Sequence, residues 1–190
     1  MKIGCVILAG GKSSRMGTDK ALLELDGKSF IEQLAEEFDF FEEKMIARGN
    51  NELIPNVNWT MISDIYQERG PIGGLHTALS ICKSDALFCI TCDMPLAKKT
   101  LAEKLFSLME EGVDAIIVKT EDDRIHPLCG IYRKSTLPIF EEQIQLGNHR
   151  MMSILDKIRV KYVTICFAEQ TQQLMNVNTP KEYENIIRKI

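Results

Sequence analysis

The sequence predicts an α/β protein: a single-domain, three-layer α/β/α fold of the Rossmann-like kind, with a mainly parallel sheet and a small subsidiary β element. Three observations predict this fold. The 190 residues fit the usual size of one domain. Hydrophobic residues make up 45% and charged residues 26%, which is typical of a globular domain and excludes a disordered chain. Short β-rich apolar runs alternate with helical patterns, as parallel strands joined by helices require.

Six apolar, β-rich runs are the predicted strands of the main sheet. They are Ile3–Leu8, Lys44–Ala47, Trp59–Ile62, Ala86–Thr91, Ala115–Lys119 and Val160–Cys166. A further run at 125–133 contains Pro127, and proline cannot donate a hydrogen bond to a sheet ladder. We therefore expect that run at a sheet edge or in the subsidiary sheet. The sequence contains no repeat or linker, so residues 1–190 are expected to form one domain.

Three helix starts are predicted from capping boxes, in which a hydroxyl residue stands three positions before a glutamate. The pairs are Ser29 with Glu32, Thr100 with Glu103, and Thr179 with Glu182. Pro180 also suits the first position of a helix. The corresponding helices are expected at about 30–39, 101–110 and 180–189.

Charge and hydropathy exclude several kinds of partner. The net charge is −4 and no run of Lys or Arg exceeds two residues, so a basic face for nucleic acid is not expected. No apolar run approaches the roughly 20 residues that span a bilayer. The run Ile3–Leu8 is too short for a signal peptide. We expect a cytoplasmic protein whose ligands are small molecules.

The six cysteines suit buried, reduced thiols, but Cys89 and Cys92 spell C-x-x-C. On a strand, residues three apart point to opposite faces, whereas redox and zinc pairs usually lie on a turn or helix start. No second such pair and no neighbouring pair of histidines completes a zinc site. Two structural cysteines are therefore expected, and a redox or metal protein is the disfavoured alternative.

The first predicted strand runs into a glycine-rich loop, LAGGKSSRMGTDK at Leu8–Lys20. Glycines let backbone N–H groups approach an anion, and the cations Lys12, Arg15 and Lys20 can neutralise a polyphosphate. The loop is not a Walker motif, because Val6 stands where that motif needs glycine, nor does it spell G-x-G-x-x-G. An ordinary strand-to-helix turn would explain the glycines but not the cations. A phosphate-binding loop is predicted.

Two carboxylates follow predicted strands at the edge where ligands bind open α/β sheets. Asp93, directly after a buried strand, is the predicted Mg²⁺ ligand, although an Asx turn is the alternative. Asp64 precedes the glycine-containing segment Gly70–Leu75 and can accept hydrogen bonds from guanine N1–H and N2. Its alternative role is simply to start a long loop.

Three later groups are weaker candidates for binding an acceptor substrate. His126 begins an H-P pair on the predicted subsidiary strand, and Asn176 and Asn178 alternate before the last helix. A packed histidine and an ordinary helix cap are the alternatives. Arg150 can bind an acceptor phosphate or can be a solvated helix residue.

These motifs together resemble the molybdenum cofactor guanylyltransferases, a family of the nucleotidyltransferase superfamily. The resemblance spans nearly the whole chain. It consists of L-A-G-G-x-S-x-R-M-G-x-D-K at Leu8–Lys20, Asp64, G-P at Gly70, C-D-M-P at Cys92–Pro95, H-P at His126, and N-V-N-T-P at Asn176–Pro180. It implies the Rossmann-like nucleotidyltransferase fold.

The resemblance also implies roles for individual residues. Nucleotide binding is expected from Leu8, Ala9, Gly10, Gly11, Lys12, Lys20, Asp64 and Asp93. Arg15, Lys20 and Asp93 are expected to be catalytic, with Mg²⁺ on Asp93, and Arg150, Asn176 and Asn178 to face molybdopterin. Proteins of cofactor biosynthesis and of delivery to molybdoenzymes are the implied protein partners.

The resemblance favours guanine, because the related cytidylyltransferases have L-A-A-G where this chain has Gly10. One departure is Gly73-Gly74, where relatives often carry a bulkier residue, and this leaves base packing open. The expected reaction transfers GMP from GTP to molybdopterin with release of pyrophosphate. The close rival is a nucleotidyltransferase that uses CTP or a sugar phosphate. A regulatory nucleotide-binding module is disfavoured by the presence of Lys20 and Asp93.

Overall fold

The computed structural model describes residues 1–10, 20–48, 54, 56–165 and 172–188. Within these residues the strands are β1 (Ile3–Leu8), β2 (Glu24–Leu25), β3 (Lys28–Ser29), β4 (Lys44–Ala47), β5 (Thr60–Ile62), β6 (Ala86–Thr91), β7 (Ala115–Thr120), β8 (Ile125–Arg133) and β9 (Val160–Ile165). The α-helices are α1 (Phe30–Glu37), α2 (Pro71–Ile81), α3 (Lys99–Ser107), α4 (Leu137–Gln145), α5 (Met151–Leu155) and α6 (Pro180–Ile187).

Seven of the described strands form the main sheet, in the order β5-β4-β1-β6-β8-β7-β9. All neighbouring pairs are parallel except the two that β8 makes with β6 and β7. The carboxyl ends of six strands therefore lie at one edge of the sheet, and β8 begins at that edge. The short antiparallel pair β2-β3 is the small second sheet. The predicted α/β fold with a mainly parallel sheet is confirmed.

Helices cover both faces of the sheet, because its strands carry apolar side chains on alternate sides. On one face, Ile7 belongs to a core with residues of α1 and α3, such as Leu34 and Leu105. On the other face, Val6 belongs to a core with residues of α2 and α4, such as Leu75 and Phe140. Full burial of an aliphatic side chain of this size contributes about 1.5–3 kcal/mol. One core lies on each face of the sheet, between the sheet and the helices, so the fold has three layers.

The prediction for residues 125–133 is wrong in its placement. Strand β8 lies inside the main sheet, between β6 and β7, and not at an edge or in the small sheet. The register with β7 shifts between the pair formed by His126 and the pair formed by Gly130, and Pro127 lies in this irregular segment. A proline there removes no ladder hydrogen bond. The same strand requires glycine at position 130, because a Cβ on Gly130 would lie 2.3 Å from the carbonyl oxygen of Ile116.

Two of the predicted helix caps are present. Ser29 Oγ accepts from the amide of Glu32 at 3.3 Å, and the Glu32 carboxylate accepts from the amide of Ser29 at 2.9 Å, which completes a capping box. At α6, Thr179 Oγ1 accepts from the amide of Glu182 at 3.2 Å. Both helices begin where the caps predict, at Phe30 and Pro180.

The third predicted cap, at Thr100, is wrong. Helix α3 already begins at Lys99, and its N-cap residue Lys98 makes no side-chain cap hydrogen bond. The carboxylate of Glu37, at the end of α1, accepts from the amide of Lys99 at 2.8 Å. A side chain from another helix thus caps the start of α3, and Thr100 lies inside the helix.

No helix in the described part of the chain is long and apolar enough to cross a membrane.

Candidate functional site

The nucleotide-side residues that the structure describes follow adjacent strands at the carboxyl edge. Leu8 ends β1, and the buried Ala9 donates its N–H to the carbonyl oxygen of Ala47 at 2.8 Å. The N–H of Cys92 donates to the carbonyl oxygen of Leu8 at 3.0 Å, which fixes the end of β6 against that of β1. Gly10 is exposed at the entrance to the loop. The predicted residues Gly11, Lys12 and Arg15 lie outside the described residues.

Asp93 is held in a defined orientation two residues after β6. The hydroxyl of Thr91 donates to its Oδ1, and its backbone carbonyl accepts from the amide of Val177 at 2.8 Å. Within the described chain the carboxylate accepts from no backbone amide, so it does not form an Asx turn. Oδ2 therefore remains available to a ligand. Sequence reasoning missed Thr91, for which the only signal was its place at the end of a strand.

The donor set around Asp93 fits Mg²⁺. This ion is usually held by one or two carboxylates and completes its shell with waters and substrate phosphates. In the described ranges no group of three His, Cys, Asp or Glu side chains could form a dedicated metal cage. A single half-buried carboxylate at the carboxyl edge of the sheet is the arrangement that remains. Asp93 is thus the residue that would hold the ion.

Lys20 and Asn178 are in direct contact although they are 158 residues apart. The ammonium Nζ of Lys20 donates to Oδ1 of Asn178 at 2.7 Å in a partly buried position. The backbone amide of Asn178 donates in turn to the Glu182 carboxylate at 2.8 Å. This hydrogen bond is the main cause that lowers the pKa of Glu182. A predicted nucleotide residue and a predicted acceptor residue therefore share one hydrogen bond.

Asp64, two residues after β5, lies over the first turn of α2. A Cβ built on Gly73 would be 3.2 Å from its Oδ2, and one built on Gly74 would be 3.5 Å from its Oδ1. Burial raises the pKa of Asp64 above the ordinary carboxyl value. No described group donates a hydrogen bond to this carboxylate. Its acceptors are thus free to meet donors on a ligand.

The glycine pair Gly73-Gly74 has a structural reason. A Cβ on Gly73 would lie 2.8 Å from the carbonyl oxygen of Tyr66, closer than real Cβ atoms come. A Cβ on Gly74 would lie 3.2 Å from side-chain atoms of Ala47 and Leu8. Gly73 therefore allows the start of α2 to pack closely on the loop after β5, and Gly74 allows it to pack on the ends of β1 and β4. The sequence alone did not reveal these contacts.

A cavity of about 190 Å³ opens on the far side of Asp93 from β1, where β8 begins. His126 and Asn176 both line it, and neither His126 Nε2 nor Asn176 Oδ1, both buried, has a hydrogen-bond partner. Burial is the main cause that lowers the pKa of His126, so its ring is neutral near pH 7. Buried polar atoms are normally paired, so these two indicate a polar ligand. The H-P pair in the sequence was the signal that indicated His126.

A larger cavity, of about 910 Å³, lies at the opposite edge of the sheet. Its lining includes Ile3, Lys44 and Thr60, the first residues of β1, β4 and β5. None of the predicted site residues lines it. Ligands of open α/β sheets bind at the carboxyl edge, so volume alone does not identify the site here.

Arg150 is not brought into contact with the other predicted acceptor residues. It is exposed at the N-cap of α5, a short helix that packs against β8 and α4. Its backbone amide donates to Oδ1 of Asn148 at 3.4 Å. Within the described residues its guanidinium makes no hydrogen bond or ion pair. The charge is available to an anionic ligand.

Cys89 and Cys92 lie on opposite faces of the sheet, as their spacing predicts. Cys89 belongs to the core under α2 and α4, and Cys92 to the core under α1 and α3. Burial raises the pKa of the Cys89 thiol well above its ordinary value, so it is not a reactive thiolate. The geometry does not form a redox or zinc pair.

Comparison with known proteins agrees with this geometry. The model of the family described as MobA-like NTP transferase domain matches residues 5–162. The chain is 32% identical to a protein of Clostridium perfringens named "Probable molybdenum cofactor guanylyltransferase", over 100% of this chain and 98% of that one. A protein of Aquifex aeolicus with the same name is 34% identical, over 96% and 89%.

A solved structure extends the comparison. The crystal structure of molybdopterin-guanine dinucleotide biosynthesis protein A from Archaeoglobus fulgidus aligns with a TM-score of 0.85 and 26% identity, over 100% of both chains. The family model covers most of this chain, and the relatives cover nearly all of it. This chain is a member of the MobA-like NTP transferase family.

Proposed function

We propose that this protein is a cytoplasmic molybdenum cofactor guanylyltransferase that works as one domain. It transfers GMP from GTP to molybdopterin and releases pyrophosphate. Its protein partners are proteins that make the cofactor or deliver it to molybdoenzymes. One observation carries the proposal. Asp93 follows β6, whose neighbours in the sheet are β1 and β8. Asp93 thus lies between the end of β1, after which the glycine-rich segment of the sequence begins, and the cavity lined by His126 and Asn176.

GTP occupies the β1 side of this edge. Its binding groups are Leu8, Ala9, Gly10, Gly11, Lys12, Lys20, Asp64 and Asp93. Backbone N–H groups of the loop approach the phosphates, and Lys12, Arg15 and Lys20 balance their charge. This placement is supported by the position of Leu8, Asp64 and Asp93 at or just after the carboxyl ends of β1, β5 and β6, which are strands of one sheet.

The guanine base is read by Asp64. Its carboxylate has no described donor and lies over the closely packed start of α2, within 3.5 Å of the positions that Cβ atoms on Gly73 and Gly74 would take. Guanine presents two adjacent donors, N1–H and the N2 amino group, which pair with two carboxylate oxygens. Adenine and cytosine do not present this arrangement. A polar site built in this way rejects bases that leave its buried acceptor unpaired.

Asp93 is the residue that would hold Mg²⁺. When bound, the ion would supply positive charge that neutralises the phosphates. Thr91 keeps the carboxylate in one orientation, and the backbone hydrogen bond from Val177 holds the turn in place. The residue's task is to position the cation, because positioning and charge compensation are the main demands of phosphoryl-type transfer.

Molybdopterin occupies the β8 side. Asn176 offers a carbonyl oxygen and His126 a ring nitrogen to the polar edge of the pterin, and Arg150 provides a charge for its phosphate. The two unpartnered buried atoms support this placement. Asn178 is the remaining residue of the acceptor side that the family resemblance implies.

The reaction then needs no general base, because the attacking phosphate oxygen is already anionic. An oxygen of the molybdopterin phosphate forms a bond to the α-phosphorus of GTP. The bond from that phosphorus to the oxygen bridging to the β-phosphate breaks, and the electron pair leaves with pyrophosphate. Lys12, Arg15 and Lys20 stabilise the charge that develops on this leaving group.

The deciding experiment supplies GTP, CTP, ATP and UTP separately, with Mg²⁺ and molybdopterin, and measures pyrophosphate release. We expect release with GTP. Comparable release with CTP would favour a cytidylyltransferase, and release only with a sugar phosphate would change the acceptor. Tight nucleotide binding without release would indicate a regulatory binding module.

A further inference from the structure

The Lys20–Asn178 hydrogen bond limits the freedom of the proposed phosphate-binding cation. A lysine ammonium carries three N–H donors, and one of them is used on Asn178 Oδ1 at 2.7 Å. A free lysine side chain loses up to about 2 kcal/mol of rotamer entropy when it is fixed. In this protein part of that ordering is present before any ligand arrives. Among the described residues the ammonium makes no other hydrogen bond, which leaves two donors for phosphate oxygens.

Asn178 is the fixed member of the pair. Its backbone amide donates to Glu182 at 2.8 Å, and Thr179 caps the same turn of α6. On its other side, Val177 is fully buried and donates its amide to the carbonyl oxygen of Asp93 at 2.8 Å. The asparagine is thus held between the Asp93 turn and helix α6, so it determines where the ammonium of Lys20 lies.

The two asparagines of the N-V-N segment differ in their environment. Asn176 Oδ1 is buried, unpartnered and part of the cavity beside Asp93. Asn178 Oδ1 is already occupied by Lys20. An acceptor-binding role, which the family resemblance implies for both, accounts for the first environment but not for the second.

We propose that Asn178 is a positioning residue for Lys20 and therefore contributes to GTP affinity before the acceptor binds. This inference rests on the proposed function, because it requires that Lys20 contacts the triphosphate. Preorganisation of a flexible cation improves affinity by lowering the entropy lost on binding. Removal of the asparagine side chain should accordingly weaken binding of the phosphate tail and leave recognition of the base unchanged.

The test is calorimetry without acceptor, with GTP and with GMP. The proteins are wild type, Asn178→Ala, Lys20→Ala and the double variant, with Asn58→Ala, at the opposite edge of the sheet, as the matched control. We expect Asn178→Ala to weaken GTP binding about tenfold and GMP binding much less, as for a hydrogen bond to a charged group. The double variant should bind GTP no more weakly than Lys20→Ala, because the asparagine acts through the lysine. Asn58→Ala should leave GTP affinity at the wild-type value.

Three results would overturn the proposal. They are a wild-type GTP affinity in folded Asn178→Ala when Lys20→Ala is impaired, equal losses for GTP and GMP, or additive losses in the double variant. If the alanine variant does not fold, Asn178→Ser, whose side chain is too short to reach the ammonium, decides by the same criteria. A wild-type protein that binds no GTP would refute the proposed function itself and this inference with it.

Discussion

The hydroxyl of Thr91 donates a hydrogen bond to Oδ1 of Asp93, so the last residue of β6 orients the carboxylate that follows the strand. Thr91 is itself buried, at the carboxyl edge of the sheet. One carboxylate oxygen is thereby engaged, and the other is presented in a constant direction. Such an arrangement suits a group that must meet a metal ion and a phosphate chain with little reorganisation.

Replacing Asp93 by asparagine should abolish most turnover and leave the fold intact. Loss of a metal-binding charge costs several kcal/mol in a transition state of this kind, which corresponds to a loss on the order of a hundredfold or more. Pyrophosphate release across a Mg²⁺ titration measures the effect, with circular dichroism as the check on folding. Thr91→Val, which keeps the carboxylate but removes its hydrogen bond, should lose less. Normal activity of folded Asp93→Asn would rule out the metal assignment.

The proposed base recognition predicts that wild type prefers GTP over CTP and ATP, and that Asp64→Ala reduces this preference more than the maximal rate with saturating GTP. The physical reason is that the carboxylate pairs with donors that only guanine presents together. Competition between mixed triphosphates measures the preference in both proteins. If selectivity survives in the variant, backbone groups near Leu8–Gly10 read the base instead.

Asp64 should also limit stability. Because burial raises its pKa, the folded state binds the proton more tightly than the unfolded state, so stability is lost as pH rises through the carboxyl range. Asp64→Asn should therefore raise the free energy of unfolding at pH 7, and the gain should vanish below about pH 3, where the carboxyl is protonated in both states. Urea titrations at the two pH values measure it.

Asp114 is the control for Asp64, because its pKa is shifted in the opposite direction. Its hydrogen bond from Arg159 lowers its pKa, so its contribution is present above the carboxyl range and is lost as pH falls. Asp114→Asn should therefore be less stable than wild type at pH 7. If Asp64→Asn and Asp114→Asn shift stability in the same direction, the electrostatic account of Asp64 is wrong.

The helix caps give a matched pair of stability predictions. Ser29→Ala removes a formed capping box and should lower the free energy of unfolding by about 0.5–2 kcal/mol. Thr100→Ala changes a similar sequence pattern that forms no cap, and should stay within about 0.5 kcal/mol of wild type. Chemical denaturation of the three proteins decides. Equal losses would mean that Thr100 caps α3 in solution.

Local sequence patterns predicted the features that depend on local physics. Apolar runs identify strands such as Ala86–Thr91, because such strands are buried on both faces, and the loop glycines and strand-end carboxylates identify the binding edge. The features that were missed depend on distant pairing. Strand β8 enters the sheet through long-range contacts with β6, and the start of α3 is capped by Glu37 of α1. No local pattern contains these partners, and the same holds for the contact of Lys20 with Asn178.

The reversed direction of β8 has a consequence for how this family can diversify. The turn before it, residues 121–124, is exposed and ends at Arg124, which lines the cavity beside Asp93. Changes in this turn alter one wall of the proposed acceptor cavity and leave the ends of β1 and β5 untouched. The proposed acceptor site can therefore change separately from the proposed nucleotide site. Chimeras that exchange this turn between relatives should change acceptor preference at constant GTP affinity.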